Sequence, residues 1–216
     1  ASAAISMLLF SAPSSFAGTF QSLEYVDEGS SITITDCPPY MTGDVVIPST
    51  IDGKPVTAIG NSAFGYCRFI TGISIPPSVQ KIGFGAFGYC LELTNVTIPN
   101  GVSKIEGYTF ESCWKATSVT IPASVTEIGE YAFSGCGSKN LSIPQGVTSI
   151  GKSAFAGCPI STVVIPPGIS EIADNTFQSC MNLTSITIPP NIKTLGERAF
   201  FGCGFRRVSI PATVTT

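Results

Sequence analysis

The stretch Ile121–Cys136, IPASVTEIGEYAFSGC, decides the fold because the rest of the chain repeats its pattern. An Ile-Pro pair recurs at Ile75, Ile98, Ile121, Ile143, Ile165, Ile188 and Ile210. Each of the first six pairs is followed by a Phe twelve residues after the Ile and by a Cys fifteen residues after it. A fixed offset of this kind predicts one structural unit that is copied along the chain and stacked as a solenoid.

Two columns of like residues follow from these offsets, and an edited first copy adds one member to each. The Phe column contains Phe64, Phe87, Phe110, Phe133, Phe155, Phe177 and Phe200. The Cys column contains Cys67, Cys90, Cys113, Cys136, Cys158, Cys180 and Cys203. Because neighbouring coils of such a stack lie about 4.8 Å apart, we expect both columns to form structural ladders.

The conformation of one coil is predicted from positions counted from the Ile of Ile-Pro. Apolar residues at −2 and 0 alternate as in a β-strand, so residues 183–189, LTSITIP, predict a strand that its proline ends. A second extended piece covers +4 to +7, and Gly at +8 is expected to turn the chain. Ala-Phe at +11 and +12 predicts a single helical or 3₁₀ turn. The whole is a β-rich repeat solenoid of about eight coils over residues 44–216, with the last coil incomplete.

The residues before the regular coils are predicted to cover the first end of the stack. Residues 18–36 alternate apolar and polar around a turn at 27–30, which predicts a β-hairpin or two short strands. An uncovered first coil exposes an apolar end and a free strand edge, so residues 18–43 are assigned as N-terminal capping strands. In the edited first repeat, 44–60, the extra residues include Asp52-Gly53, which predicts a local hairpin.

Composition and charge exclude several classes of function. Charged residues make up 12% of the chain and the net charge is −3, so nucleic acid and anionic lipid are not expected partners. The chain has no His, which removes the commonest general base and the commonest metal ligand. We therefore predict no enzyme activity, no metal site and no cofactor.

The N-terminal residues are typical of an export signal. The apolar run at 3–10, AAISMLLF, and the small residues around Ala17 predict a truncated secretory signal peptide over residues 1–17, with a disordered apolar leader as the alternative. This run is too short to span a bilayer, and the sequence contains no other candidate span. We expect a secreted or cell-surface protein without an integral membrane segment.

The repeated pattern LxxIxIPxxVxxIGxxAFxxC resembles that of the BspA-type leucine-rich repeats, which occur on exported and surface proteins. Residues 44–60, DVVIPSTIDGKPVTAIG, also look like the usual first repeat of that family. The resemblance covers about residues 32–216 and implies a right-handed leucine-rich-repeat stack. It also implies adhesion or binding to a host or matrix partner, and it supplies no catalytic residue. Two departures replace an aliphatic residue at position −5, namely Ala116 and Ser138.

Residues 146–153, GVTSIGKS, match the phosphate-loop pattern GxxxxGK[ST] at every fixed position. A phosphate loop needs a buried strand before it and a full helix after it. Here Pro144 breaks the preceding strand, and Val147 and Ile150 occupy core positions of the repeat. We therefore predict no nucleotide binding, and the two SxxK matches at Ser78 and Ser149 are interpreted as coincidences of the repeat.

The cysteines admit a metal, a disulfide or a thiol interpretation. The chain has no CxxC motif and no His, so the spacing of a zinc site is absent. Parallel side chains on stacked coils do not readily reach the dihedral angle of a disulfide. We predict a column of buried reduced thiols, with Cys37 either starting that column or paired with a neighbour.

The candidate partner-binding face is the solvent-facing side of the strands. Ser and Thr are ordinary residues on such a surface, but the open sheet of a solenoid is also where partners bind. The candidate residues are Thr94, Asn95, Thr97, Thr117, Ser118, Thr120, Thr184, Ser185 and Thr187, the cations Lys139, Arg206 and Arg207, and the aromatic Trp114. The first functional hypothesis is a non-catalytic exported binding or adhesion module with a protein or glycan partner. The alternative is a structural spacer that supports an activity or anchor domain outside this fragment.

Overall fold

The computed structural model describes residues 16–215, with side chains from Gln21 to Thr215. The predicted signal peptide, residues 1–17, lies almost entirely outside the described residues. Between residues 16 and 215 the chain contains strands and turns and no helix. The strands are β1 Phe16–Phe20, β2 Leu23–Asp27, β3 Ile32–Asp36, β4 Thr42–Val46, β5 Thr50–Ile51, β6 Lys54–Ile59, β7 Phe69–Ser74, β8 Lys81–Ile82, β9 Asn95–Thr97, β10 Lys104–Ile105, β11 Ser118–Thr120, β12 Glu127–Ile128, β13 Ser149–Ile150, β14 Thr162–Val164, β15 Glu171–Ile172, β16 Ser185–Thr187 and β17 Thr194–Leu195.

The strands wind into a solenoid of about seven turns, which confirms the predicted repeat stack. The number predicted from the sequence, about eight coils, included the incomplete last coil. Like residues of successive coils pair in parallel register, for example Val96 with Val119 and Val163 with Ile186. Each three-residue strand alternates exposed, buried and exposed side chains in β9, β11 and β14. The alternation follows from the two-residue period of a strand. Only the middle residue of each strand is therefore part of the core.

The N-terminal strands differ from the rest in direction. β1 and β2 are antiparallel, as are β2 and β3, and β3 then pairs in parallel with β6. Leu23, Ile32 and Ile34 of these strands are buried and belong to the same core as the coils. The assignment of residues 18–43 as a cap stays a prediction.

The insertion in the first repeat forms the predicted hairpin. β5 and β6 are antiparallel, with Ile51 opposite Lys54. Asp52 and Gly53 between them have φ values of 51° and 77°, as a tight two-residue hairpin turn requires. The hairpin absorbs the extra residues, so that Ile59, Phe64 and Cys67 keep their core positions with at most 1% exposure.

The turn side of each coil does not confirm the prediction of a helical or 3₁₀ turn. This segment consists of consecutive β-turns in which amides alternate between two kinds of partner. The amide of Ala86 donates to the carbonyl oxygen of Gly83, three residues back, at 3.2 Å. The next amide, that of Phe87, donates to the carbonyl oxygen of Thr109 in the following coil, at 2.9 Å. A helix uses its amides within its own segment, so it cannot supply this second set of bonds between coils.

The glycines at position +8 also have a different role from the one expected. A Cβ added to Gly129 would lie 2.5 Å from the backbone nitrogen of Gly107, and one added to Gly196 would lie 2.3 Å from that of Asp174. Neither glycine has a positive φ. Glycine at this position therefore permits close approach of the preceding coil and does not serve to turn the chain.

The two predicted ladders fill the interior. Phe133 stacks between Phe110 and Phe155, with ring centroids 5.4 and 5.6 Å apart. The six rings from Phe64 to Phe177 are at most 1% exposed, and Phe200 in the last coil is half-buried. Aromatic rings at this separation add attraction beyond their burial. The Phe column is thus the continuous centre of the core.

Candidate binding face

Three rows of exposed side chains build the candidate face, at positions −4, −3 and −1 of successive coils. Parallel pairing aligns the predicted residues directly: Asn95 with Ser118, and Thr97 with Thr120. In the same way Ser185 lies beside Thr162 and Thr187 beside Val164. The sheet therefore brings together the candidates from each group of strands, and all of these side chains are exposed.

The row at −4 contains Thr71, Thr94, Thr117, Lys139, Ser161, Thr184 and Arg206. Not every hydroxyl in it is free for a ligand. The hydroxyl of Thr94 donates to the carbonyl oxygen of Thr71 in the preceding coil, at 2.9 Å. Such a bond satisfies the backbone of the neighbouring coil, so Thr94 has a structural role as well.

Trp114 lies away from these rows. Its side chain is 65% exposed, but it follows Cys113 at the corner between the turn side and the strand β11. Its neighbour Lys115 forms an ion pair with Glu92 at 2.6 Å. The structure thus places the predicted aromatic anchor beside the face and not within it.

The strand face is interrupted between β11 and β14. Residues 140–142 occupy the strand position of their coil but form no strand and pair with neither neighbour. At the start of this segment Ser138, 1% exposed, stands where other coils bury an aliphatic side chain, and its hydroxyl is 3.5 Å from the carbonyl oxygen of Thr117. A polar side chain that hydrogen-bonds to the backbone at this position competes with the regular hydrogen bonds between strands.

Two hollows open on this half of the face. The first has a volume of about 530 Å³ and lies at the interruption, lined by Lys139, Asn140, Ser142, Gln145, Thr162 and Val164 among others. The second, about 590 Å³, is lined by Thr184, Gly204, Arg206 and Arg207. Both fall within the range of roughly 300–1,000 Å³ that is usual for ligand pockets. Each hollow is lined by at least one of the predicted cations.

The charge on the face is one-sided. Lys139, Arg206 and Arg207 are exposed, and none of them takes part in an ion pair among residues 21–215. From Thr71 to Ser209, positions −4 to −1 of the coils, which form this face, carry no Asp or Glu. The carboxylate at the N-terminal end, Asp44, accepts a hydrogen bond from the Thr71 hydroxyl at 2.7 Å. A cationic, hydroxyl-rich surface has therefore formed on a protein of net charge −3.

The segment 146–153 does not form a phosphate loop in the structure. Ser149 and Ile150 form β13, which pairs with β12, and the amide of Gly151 donates to the carbonyl oxygen of Ile128 at 2.8 Å. The β-turns of the coil follow it, where a phosphate loop would need a helix. That the chain binds no nucleotide stays a prediction.

All eight cysteines are free thiols, and the Cys column is buried as far as Cys180. The thiol of Cys113 donates to the carbonyl oxygen of Phe87 at 3.1 Å, and that of Cys158 to Phe133 at 3.0 Å. Cys37 extends the column, since its carbonyl oxygen accepts from the thiol of Cys67 at 3.2 Å. Burial raises the pKa of Cys113 and of Cys158 well above the ordinary thiol value. These thiols are protonated, weakly reactive members of the core.

One group of exposed side chains was not predicted from the sequence. Tyr66, Phe84, Tyr89, Tyr108 and Tyr131 form a partly exposed aromatic group on the turn side, with Tyr66 55% and Phe84 46% exposed. Their positions, +9, +10 and +14, change residue type from coil to coil, so the repeat pattern gives no signal there. The sequence signal that could have revealed this group is the presence of aromatic residues at variable positions of neighbouring coils.

Comparisons with known proteins agree with this architecture. The family described as "BspA type Leucine rich repeat region" matches residues 57–138 and 103–216, with 6 copies of its repeat. No curated protein sequence matches the chain. No helix between residues 16 and 215 is long and apolar enough to cross a membrane.

Solved structures give the same result. A leucine-rich repeat protein of T. pallidum is 31% identical, with a TM-score of 0.79, over 87% of this chain and 89% of that one. A leucine-rich repeat protein of Bacteroides ovatus is 28% identical, with a TM-score of 0.73, over 92% of this chain and 60% of that one. The pneumococcal vaccine antigen PcpA, 17% identical with a TM-score of 0.54, shares the fold alone. From its repeats, its stack and these matches, the chain belongs to the BspA-type leucine-rich repeat family.

Proposed function

We propose that this chain is a non-catalytic, exported or cell-surface binding module that presents its strand face to a partner. Leucine-rich repeat proteins of this kind generally bind partners or act as structural elements, and the family is typically surface-associated. The observation that carries the proposal is the set of cations Lys139, Arg206 and Arg207, which form no ion pair among residues 21–215 and lie beside two hollows. The face around them is rich in hydroxyl groups, and its carboxylate, Asp44, lies at the N-terminal end.

The composition of the face favours a polar partner. Protein–protein interfaces are enriched in aromatic residues and Met and depleted in Ser and Lys, whereas this sheet exposes mainly Ser and Thr. Hydroxyl groups in rows about 4.8 Å apart can exchange hydrogen bonds with a hydrated, polyhydroxylated chain. The cations add attraction for carboxylate or sulfate groups. Among the protein and glycan partners, an anionic glycan is therefore the first to test.

The direct test is binding of the purified chain to a glycan array and to a panel of matrix proteins. Retained ligands are then tested against a variant in which Thr97 and Thr120 are both changed to Arg, which places bulk in the middle of the face. A matched control changes the exposed Gln80 and Ser170 to Arg, outside the face. Loss of binding in the first variant alone supports the proposal. Equal binding by both variants, or no ligand in either panel, favours the structural spacer.

A further inference from the structure

A second surface lies on the turn side of the first four coils, away from the strand face. We call it the aromatic ridge, and it consists of Tyr66, Phe84, Tyr89, Tyr108 and Tyr131. Tyr66 and Tyr89 stack with centroids 4.8 Å apart, and Tyr108 and Tyr131 stack at 4.9 Å. Phe84 packs on Tyr108 at 5.0 Å with a tilt of 46°. The ridge is thus two short columns of rings, one beginning at Tyr66 and one at Phe84.

The fold does not require aromatic residues at these positions. Tyr66, Tyr89, Tyr108 and Tyr131 have φ values between 53° and 63°, in the left-handed region that glycine adopts most easily. Equivalent positions in other coils carry Gly85, Gly135, Gly157 and Gly202, or Ser, Asn and Arg, also at positive φ. Bulky residues in a strained backbone conformation point to a role beyond folding.

A notch of about 140 Å³ lies between the two columns. Its lining is Ser62, Gly65, Tyr66, Phe84, Gly85, Gly88, Tyr89, Tyr108 and Glu111. Glu111 stands at the repeat position that Gly65 and Gly88 occupy in the two preceding coils, and all three residues line the notch. Pockets for drug-sized ligands are roughly 300–1,000 Å³, so this notch admits one side chain or one small ring.

The carboxylate of Glu111 determines the charge of the notch. Its side chain is half-buried and forms no ion pair among residues 21–215. Burial raises the pKa of Glu111, and the charge of Glu111 is the main reason why the pKa of Tyr89 is also raised. A hydrogen bond with Tyr89 partly opposes the effect of burial on the pKa of Glu111, but the carboxylate has no cationic partner among the described side chains. A partly desolvated carboxylate of this kind is stabilised when a cation arrives.

The rings beside this carboxylate add to the attraction for a cation. Tyr89 stacks on Tyr66, and no further ring covers its other face within the described side chains. The guanidinium of Arg68 lies 5.8 Å from the ring centroid of Tyr66. The Tyr66 end of this column therefore already contacts a cation. Contacts of this type are stronger where water is excluded.

We propose that the notch binds the ammonium group of a lysine side chain from a protein partner, and that the aromatic ridge is the surface on which this partner docks. The composition agrees with a protein partner, since Tyr, Phe and Arg are the residues that interfaces concentrate. The ridge therefore complements the hydroxyl-rich strand face, and the two surfaces serve partners of different chemistry. Nothing in this inference depends on the strand face being a binding site.

The test uses isotope-labelled full chain and follows its backbone amide resonances by NMR. The probe is Nα-acetyl-lysine methylamide, and the matched neutral probe is Nα-acetyl-norleucine methylamide. We expect saturable, millimolar shifts at Gly88, Tyr89 and Glu111 with the lysine probe alone. Glu111→Gln should weaken this binding at least about fivefold, because it removes the charge and keeps the shape. Glu171→Gln, an exposed carboxylate elsewhere, should leave it unchanged.

A second variant separates a lost contact from a lost fold. Tyr89→Ser places at this position the residue that the next coil carries there, Ser112, which tolerates the same positive φ. It should abolish the lysine response while the dispersed spectrum persists. Equal shifts with both probes, no shift with lysine, or full binding by Glu111→Gln would overturn the proposal. A stronger response to choline or to a neutral sugar would overturn it as well, since the ligand would then not be a lysine side chain.

Discussion

The rings of Tyr66 and Tyr89 lie parallel, 3° apart and 4.8 Å between centroids, although both residues hold a left-handed backbone. Stacking of this kind contributes about 0.5–1.5 kcal/mol, which offsets part of the backbone strain. The aromatic column therefore adds little to the stability of the fold, in contrast to the buried Phe column.

Tyr89→Gly should change the free energy of unfolding by less than about 1 kcal/mol. Glycine relieves the positive φ, and the lost stacking and partial burial offset that gain. Phe87→Ala, two residues away, should cost about 3–5 kcal/mol, because Phe87 is 0% exposed between Phe64 and Phe110. Urea unfolding measures both variants. Comparable losses in the two would show that the exposed tyrosines hold the stack together.

Gly129→Ala should destabilise the stack by about 1–3 kcal/mol, because the new Cβ would lie 2.5 Å from the backbone nitrogen of Gly107. Gly146→Ala is the matched control in the next coil, where the nearest atom would be 3.6 Å away. The control should be neutral or gain up to about 1 kcal/mol from the stiffer unfolded chain. Thermal unfolding of both variants decides the point, and equal melting temperatures would contradict the close approach of the coils.

The buried thiols predict a loss of stability at alkaline pH. Burial raises the pKa of Cys136 to about 11 and that of Cys180 to about 12. An unfolded thiol ionises near about 8.5, so above that pH the unfolded chain binds fewer protons than the folded chain. Stability is therefore complete below about pH 8.5 and falls as the pH rises toward 11 and 12.

Urea midpoints between pH 7 and pH 10.5 measure this fall. The double variant Cys136→Ala and Cys180→Ala removes two of the responsible groups and should show a shallower decline than the parent chain. Ser153→Ala, a change to a buried residue that does not titrate, should keep the parent slope. Parallel declines for the parent and the double variant would exclude the thiols as the cause.

Amide hydrogen exchange should be faster at the interruption in the strand face than in the paired strands. Residues 140–142 have no ladder partner, whereas Asn95 and Val96 pair with strands on both sides. We expect the amides of Asn140, Leu141 and Ser142 to exchange at least about tenfold faster than those of β9. Equal protection of the two segments would mean that the ladder continues through the coil of Ser138.

The core could be predicted from the sequence because stacked coils impose the same environment at each repeat position. Phe133 must fit between Phe110 and Phe155, so the position keeps its residue type and the offset is visible. The hairpin at Asp52-Gly53 was predictable for a local reason, since few dipeptides adopt that turn readily.

The turn side and the candidate surfaces were harder to predict because their determinants lie between coils. The amide of Phe87 bonds to Thr109, which is distant in sequence, so Ala86-Phe87 gave no local sign of β-turns. A tyrosine with positive φ is likewise not apparent from its sequence neighbours. Trp114 lies at a corner whose length varies from coil to coil, so the repeat pattern does not predict which surface its side chain joins. The interruption at residues 140–142 follows Ser138, a polar residue at a buried position, and the rest of the repeat pattern gives no sign of it.

The strand face as the binding surface is tested most directly by removing positive charge in two variants that have the same net charge as each other. The ligand is the tightest one found by the glycan and matrix-protein panels, and its dissociation constant is measured for two triple variants. One changes Lys139, Arg206 and Arg207 to Ala, and the other changes the exposed Lys81, Lys152 and Lys193, outside the face, to Ala. We predict a loss of at least about tenfold, or roughly 1.4 kcal/mol, for the first variant and less than about twofold for the second. Equal affinity of the two variants would contradict the assignment of the strand face as the binding surface.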